Sequence, residues 1–216
     1  MRGRRDPAIR QQTLTLTEHT SEVAAGLRAA IPAPLRPFGE PAVALLMGFP
    51  GAGKSHCARL LAARLEAAHV ASDQLRAELF VAPSYAPQEN AAVFRIVDAV
   101  VGRLLEEGHR VIVDATNLRR AQRRSVAALA RARGIPVAPV LVTANEADVL
   151  ARLAARMRER AADDRSDADE RIYAAMRARG FEEPDEPYLV LRNGADLERE
   201  IERVARELEA RWAAGT

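Results

Sequence analysis

The sequence predicts an α/β fold of three layers: a five-stranded parallel sheet with helices on both faces. Three observations predict it. Short apolar runs of strand length alternate with amphipathic helical stretches along most of the chain, which is the pattern of successive βα units. A glycine-rich turn joins the first of those strands directly to a helix. Finally, 216 residues suit one domain, whose folding buries about 70% of the unfolded chain's surface without help from a disulfide or a structural metal.

Residues 1–40 read as an N-terminal extension. Threonines cluster between Thr13 and Thr20, a short helix is expected from Glu18 to Ala30, and prolines follow at 32, 34, 37 and 41. Proline spacing of this kind reads as a semi-rigid connector ahead of a domain spanning 41–212. Ala42 to Met47 is a continuous apolar run closed by Gly48, as a strand buried on both faces would be. Helical periodicity follows from Gly53 to Ala67 through Cys57, Leu60, Leu61 and Leu65. His69 to Ser72 is a second strand and Asp73 to Phe80 a helix. Gln88 to Glu107 is a longer helix with valines, leucines and Ile96 on one side, stopped by Gly108. Arg110 to Val113 forms the third strand, Asn117 to Arg133 a helix ended by Gly134, and Pro136 to Thr143 the fourth strand. A long helical stretch begins at Glu146. Tyr188 to Leu191 is the fifth strand, and Asp196 to Trp212 the closing helix.

Composition narrows the functional classes. One cysteine, Cys57, excludes an internal disulfide and suits a reducing compartment. Arg2, Arg4 and Arg5 are followed by Asp6, Pro7, Gln11 and Gln12, not by the apolar run of a secretory signal. No apolar stretch has the length of a membrane span, so the chain is read as cytoplasmic. A net charge of +2 and 4% aromatics argue against a broad nucleic-acid-binding face. Lys54 is the only lysine among 32 basic residues, so a compact ammonium on a flexible stem is required there and a planar guanidinium is not a substitute.

That lysine sits in Gly48-Phe49-Pro50-Gly51-Ala52-Gly53-Lys54-Ser55, which fits G-x-x-x-x-G-K-[ST] at every fixed position, between an apolar strand and an amphipathic helix. Such a phosphate-binding loop wraps its N–H groups around phosphate oxygens, and the positive end of the following helix adds to the attraction. Gly48, Pro50, Gly51, Ala52, Gly53, Lys54, Ser55 and His56 are therefore the expected ATP-binding residues. Lys54 would reach the β- and γ-phosphates, and Ser55 would hold Mg²⁺. Asp114 ends the third strand in the position of a Walker-B carboxylate, which would bind Mg²⁺ through water. Asp73 lies just past the second strand, beside the loop, where a carboxylate can take a proton from an attacking hydroxyl. A plain helix cap is the alternative for Asp73, and Asn117 would either touch substrate or cap the next helix.

Read together, GFPGAGKS, ASDQLRAELF and VIVDATN resemble the small P-loop kinases related to polynucleotide kinase and the zeta-toxin kinases. The resemblance spans Ala42 to Trp212. It implies that Asp73 is the general base, that Arg76 of the D-x-x-R pattern grips a phosphate of the acceptor, and that Asp114 holds Arg76 in position. It also implies a helical lid, at roughly 150–170, whose arginines close over the phosphates. Arg152, Arg156 and Arg160 lie four apart on one helix face, and Arg158 and Arg165 follow nearby. Arg152 and Arg156 are the favoured pair, with an arginine-rich solvated helix paired to Glu159, Asp163 and Asp164 as the alternative.

Asn145-Glu146-Ala147-Asp148 lacks the lysine of a guanine-reading N-K-x-D element and is better explained by a helix cap, which points to ATP. His19, His56, His69 and His109 have no metal-ligand spacing, and Cys57 is expected to be packed. The first reading is an ATP–Mg²⁺ kinase acting on a hydroxyl acceptor, either a nucleic-acid 5′-hydroxyl or a small molecule. A non-catalytic or regulatory nucleotide-binding module is the second. A ring-forming mechanochemical ATPase is the third, disfavoured by the short stretch after Trp212. Oligomeric state is not legible.

Overall fold

The computed structural model describes residues 7–32, 40–159 and 170–215. Its sheet has five parallel strands in the order β2-β3-β1-β4-β5: β1 Ala42–Met47, β2 Ala68–Ala71, β3 Arg110–Asp114, β4 Val137–Thr143 and β5 Leu189–Arg192. All six residues of β1 are buried, and the two-residue period of a strand divides them between two cores. Val43, Leu45 and Met47 join one cluster, while Ala42, Ala44 and Leu46 join the other.

On the first face lie α5 Pro87–Glu106 and α6 Arg120–Arg131, and on the second α3 Lys54–Arg64 and α9 Leu197–Ala213. From β1 the chain runs out to β2 and returns through β3 on one side, then crosses to β4 and β5 on the other. The turn after β1 therefore lies at the reversal point of the sheet, where parallel α/β folds leave a crevice at the carboxyl ends of their strands. No helix among the described residues is long and apolar enough to cross a membrane.

Most boundaries fall within one residue of the sequence expectation, and three stretches depart from it further. The helix after β1 stops at Arg64, because Glu66 turns left-handed at φ 49°. The helix after β3 starts at Arg120, three residues later than expected, because Asn117 is also left-handed at φ 47°. The threonine-rich segment is helical: α1 Pro7–Glu18 and α2 Thr20–Ala30 form an adjacent pair. Its threonines sit within helices by turning their hydroxyls onto carbonyls four residues back, Thr17 to Thr13 at 2.9 Å and Thr20 to Leu16 at 3.0 Å.

This pair packs on α5, with Leu16 and Ala24 inside the first core. Polar ties run along the same contact. Arg95 donates to Thr17, Arg103 to Ser21, and Arg28 to Glu107. The segment counted as an extension in the sequence thus shares the core of the domain. The proline stretch behind it falls largely outside the described residues.

Candidate active site

The turn between β1 and α3 forms a closed loop whose shape depends on glycine at three positions, among them Gly48 at φ 150°, where a Cβ would lie 2.6 Å from the Val142 carbonyl oxygen. Gly51 and Gly53 are left-handed at φ 79° and 85°. A Cβ at Gly51 would meet Val149 Cγ1 at 2.8 Å, and one at Gly53 would meet Asn193 Nδ2 at 2.0 Å. No other residue type fits either place without displacement. Gly48 anchors the loop by donating its N–H to the Thr116 carbonyl at 3.0 Å. Pro50 and Ala52 are buried. Lys54 opens α3 and curls back, its Nζ donating to the Phe49 carbonyl at 3.1 Å. His56 sits further along α3, exposed, beside the first turn of α9.

Asp114 ends β3 only 4% exposed, in register with Ala71 at the end of β2. Burial pushes its carboxyl up. The hydrogen bond from His69 Nε2 at 3.2 Å, the Lys54 charge and a hydrogen bond from Ser55 outweigh that, so it is held below the usual carboxylate range. Ser55 and Asp114 are thus brought together beside Lys54, and an ionised carboxylate with a hydroxyl is the hard oxygen donor set that magnesium takes. No group of three or more His, Cys, Asp or Glu side chains suited to a metal occurs among the described residues. Magnesium here would complete its shell with phosphate oxygens and water, as it commonly does.

Asp73 is the second residue of α4 Ser72–Leu79, whose N-cap is Ala71 with no side-chain capping bond. Asp73 lines a cavity of about 650 Å³ together with Lys54, Arg76, Tyr85, Asn90 and Phe94. Arg76 is not held by Asp114. Its partners are Glu89, a buried ion pair, and Asn90 Oδ1 at 2.7 Å, while its guanidinium lies 4.4 Å from the centre of the Tyr85 ring. The reason is geometric. Asp114 is engaged by His69 from β2, whereas Arg76, one turn into α4, meets the start of α5.

Asn117 does not cap α6; its amide donates to the Leu46 carbonyl at 2.8 Å and ties the β3 end to β1. Asn145 does act as a cap, accepting from the Ala147 N–H at 3.0 Å.

Above the loop lies α7 Glu146–Glu159. Its Val149 and Leu153 form a small cluster with Tyr173 of α8 Glu170–Arg179, and Phe49 packs against it. Arg152 reaches down so that Nη1 is 3.4 Å from the Gly51 carbonyl. Arg156 lies on α7, but its side chain, like that of Arg158, is outside the described residues, as are Arg160, Asp163, Asp164 and Arg165 altogether. Cys57 is fully buried, and burial pushes its thiol up to about 11.

Sequence reasoning missed His69, Glu89, Asn90, Tyr85 and Asn193. Asn193 donates to the Ala52 carbonyl at 2.9 Å and so braces the loop from the end of β5. Its only local signal is the Asn193-Gly194 pair after the fifth strand. Glu89 looked like an ordinary acid in the first turn of a helix, and nothing in its spacing to Arg76 marks a buried pair.

The family model described as an AAA domain matches residues 43–184. No curated protein matches the chain. Among solved structures, the chain is similar to the Mycobacterium tuberculosis APS kinase CysC in complex with AMPPNP and APS, at 22% identity and TM-score 0.59, covering 79% of this chain and 98% of that one. It is also similar to Chaetomium thermophilum Kti12 in complex with ADP-AlF3, at 21% identity and TM-score 0.65, covering 78% and 98%. A gluconokinase from Sinorhizobium meliloti 1021 gives 16% identity and TM-score 0.53, covering 79% and 97%. At such identities the likeness is one of fold.

Proposed function

The chain belongs to the AAA domain family, and from that premise we propose that it is a cytoplasmic ATP-dependent kinase that phosphorylates a hydroxyl group. The observation that carries the proposal is the opening of one cavity onto both Lys54 of the phosphate-binding loop and the Asp73 carboxylate. The triphosphate would lie against the loop N–H groups and Lys54, with Ser55 and Asp114 as the residues that would hold Mg²⁺. The metal supplies charge neutralisation on the phosphate oxygens.

In the transfer step the acceptor oxygen forms a bond to the γ-phosphorus as the bond from that phosphorus to the β-phosphate oxygen breaks, and ADP leaves. Asp73 takes the hydroxyl proton and later releases it to solvent. Arg152, with Arg156 one helical turn further on, stabilises the charge of the transition state and closes the site to water. That the solved structures similar in fold include an APS kinase in complex with AMPPNP and APS and a gluconokinase supports the reading.

The test replaces Asp73 by Asn. ATP affinity should be unchanged by calorimetry, while transfer of γ-phosphate falls about 10²- to 10⁴-fold, the usual contribution of a general base. Equal transfer by wild type and variant would remove Asp73 from the chemistry. If no hydroxyl acceptor is ever phosphorylated by the wild type, the chain is instead a nucleotide-binding module.

A further inference from the structure

Apart from Lys54, the charged groups at the cavity largely cancel. Arg76 is 3% exposed and Glu89 fully buried. Glu89 accepts from the Ser84 N–H at 2.7 Å, the Ser84 hydroxyl at 2.6 Å and the Tyr85 N–H at 3.2 Å, besides pairing with Arg76. Burial pushes the Glu89 carboxyl up, but the Ser84 and Arg76 bonds outweigh it, so the group stays ionised. Both terminal nitrogens of Arg76 are engaged, one by Glu89 and one by Asn90. Its Nε is buried without a hydrogen-bond partner and has no contact with solvent. Two of its five N–H donors are taken and its charge is already paired with Glu89, whereas gripping a phosphate or carboxylate demands an uncompensated cation.

What remains for an acceptor is of another kind. Gln122 accepts from the Arg119 N–H through its oxygen, which leaves its amide nitrogen as donor. Ser125 donates its hydroxyl to Asp98 at 3.1 Å, which leaves its oxygen as acceptor and sets a carboxylate behind it. Phe94, Tyr85 and Met176 add apolar surface. The cavity's size is that of a small-molecule site, and a polymer end would need an open basic track instead.

Resting on the kinase reading, we propose that the acceptor is a small uncharged polyhydroxylated molecule, a sugar or a nucleoside, which stacks its apolar face on the aromatic rings and hydrogen-bonds through neutral groups. The Arg76–Glu89 pair then sets specificity against anions, since an anionic group in this cavity meets Asp73 and an Arg76 whose charge Glu89 already offsets, with Arg179 as the remaining arginine.

The experiment uses the full chain, Mg²⁺ and radiolabelled ATP. Glucose and uridine are set against gluconate, glucose 1-phosphate, uridine 3′-phosphate and a 5′-hydroxyl oligonucleotide. At least one neutral acceptor should exceed every anionic one by tenfold or more in kcat/KM, and which arm responds tells sugar from nucleoside. An anionic acceptor that equals or beats the neutral ones overturns the proposal. Glu89→Gln, which keeps the shape but unbalances Arg76, should shift the ratio at least tenfold toward anions; an unchanged ratio in a folded variant also counts against it. If that variant does not fold, the wild-type ratio decides. Should ATP bind yet no acceptor be phosphorylated, the kinase reading fails. The acceptor class is then decided by calorimetry with a non-hydrolysable ATP analogue present: binding of glucose or uridine above the anionic compounds sustains it, and its absence overturns it.

Discussion

Replacing Gly53 by Ala tests whether the phosphate-binding loop is shaped by glycine and braced from β5. Two costs are separable. An alanine at φ 85° is left-handed, which costs about 1–2 kcal/mol. Its Cβ would lie 2.0 Å from Asn193 Nδ2, so the amide must withdraw from the Ala52 carbonyl that it now meets at 2.9 Å. Leaving that buried carbonyl unsatisfied costs about 1–3 kcal/mol.

Together these amount to about 2–5 kcal/mol, read by urea unfolding as a midpoint lowered by at least ~1 M. Asn193→Ala alone removes only the second component. The double variant has no amide left to clash, so its loss should fall short of the sum of the two singles by about 1 kcal/mol or more. Nucleotide affinity, measured by calorimetry, should drop in all three. A Gly53→Ala protein destabilised by less than about 1 kcal/mol, or strict additivity with Asn193→Ala, would refute both the strain and the brace.

Lys54→Ala should weaken ATP binding by about 1.5–3 kcal/mol, the range of a hydrogen bond to a charged group, as measured by calorimetry; unchanged affinity would remove the lysine from the site. Burial pushes the Asp98 carboxyl up to about 6 from an ordinary 3.8. The folded state therefore holds that proton more tightly, and stability declines as pH rises from about 4 to about 6, with the penalty complete above that. Asp98→Asn should accordingly stabilise the protein at pH 8 and not at pH 4, by about 1 kcal/mol after solvent screening at this half-buried position. Thermal unfolding at the two pH values checks the sign. With its thiol pushed up to about 11 inside the second core, Cys57 should resist a thiol reagent at pH 8 in the native protein and react on unfolding in urea.

The sequence by itself determined the alternation of strands and helices, the continuous burial of β1 and the position of the phosphate-binding loop. Each of these is written in neighbouring residues: an apolar run, an unbroken 3.6-residue period, or a glycine-spaced octapeptide whose one lysine stands out. The start of α6 was misread because Asn117, a residue that favours helix caps, adopts a left-handed turn in order to bond Leu46 on another strand. Only the tertiary structure decided that residues 7–30 cover α5, that Asp114 answers to His69, and that Arg76 is neutralised by Glu89. Such pairings depend on which side chains meet once the sheet is assembled, and a lone acid or histidine carries no periodic signal of its partner. Local chemistry fixes where a loop turns and a helix begins, whereas the charge that a buried arginine presents is set by neighbours that the chain brings to it only on folding.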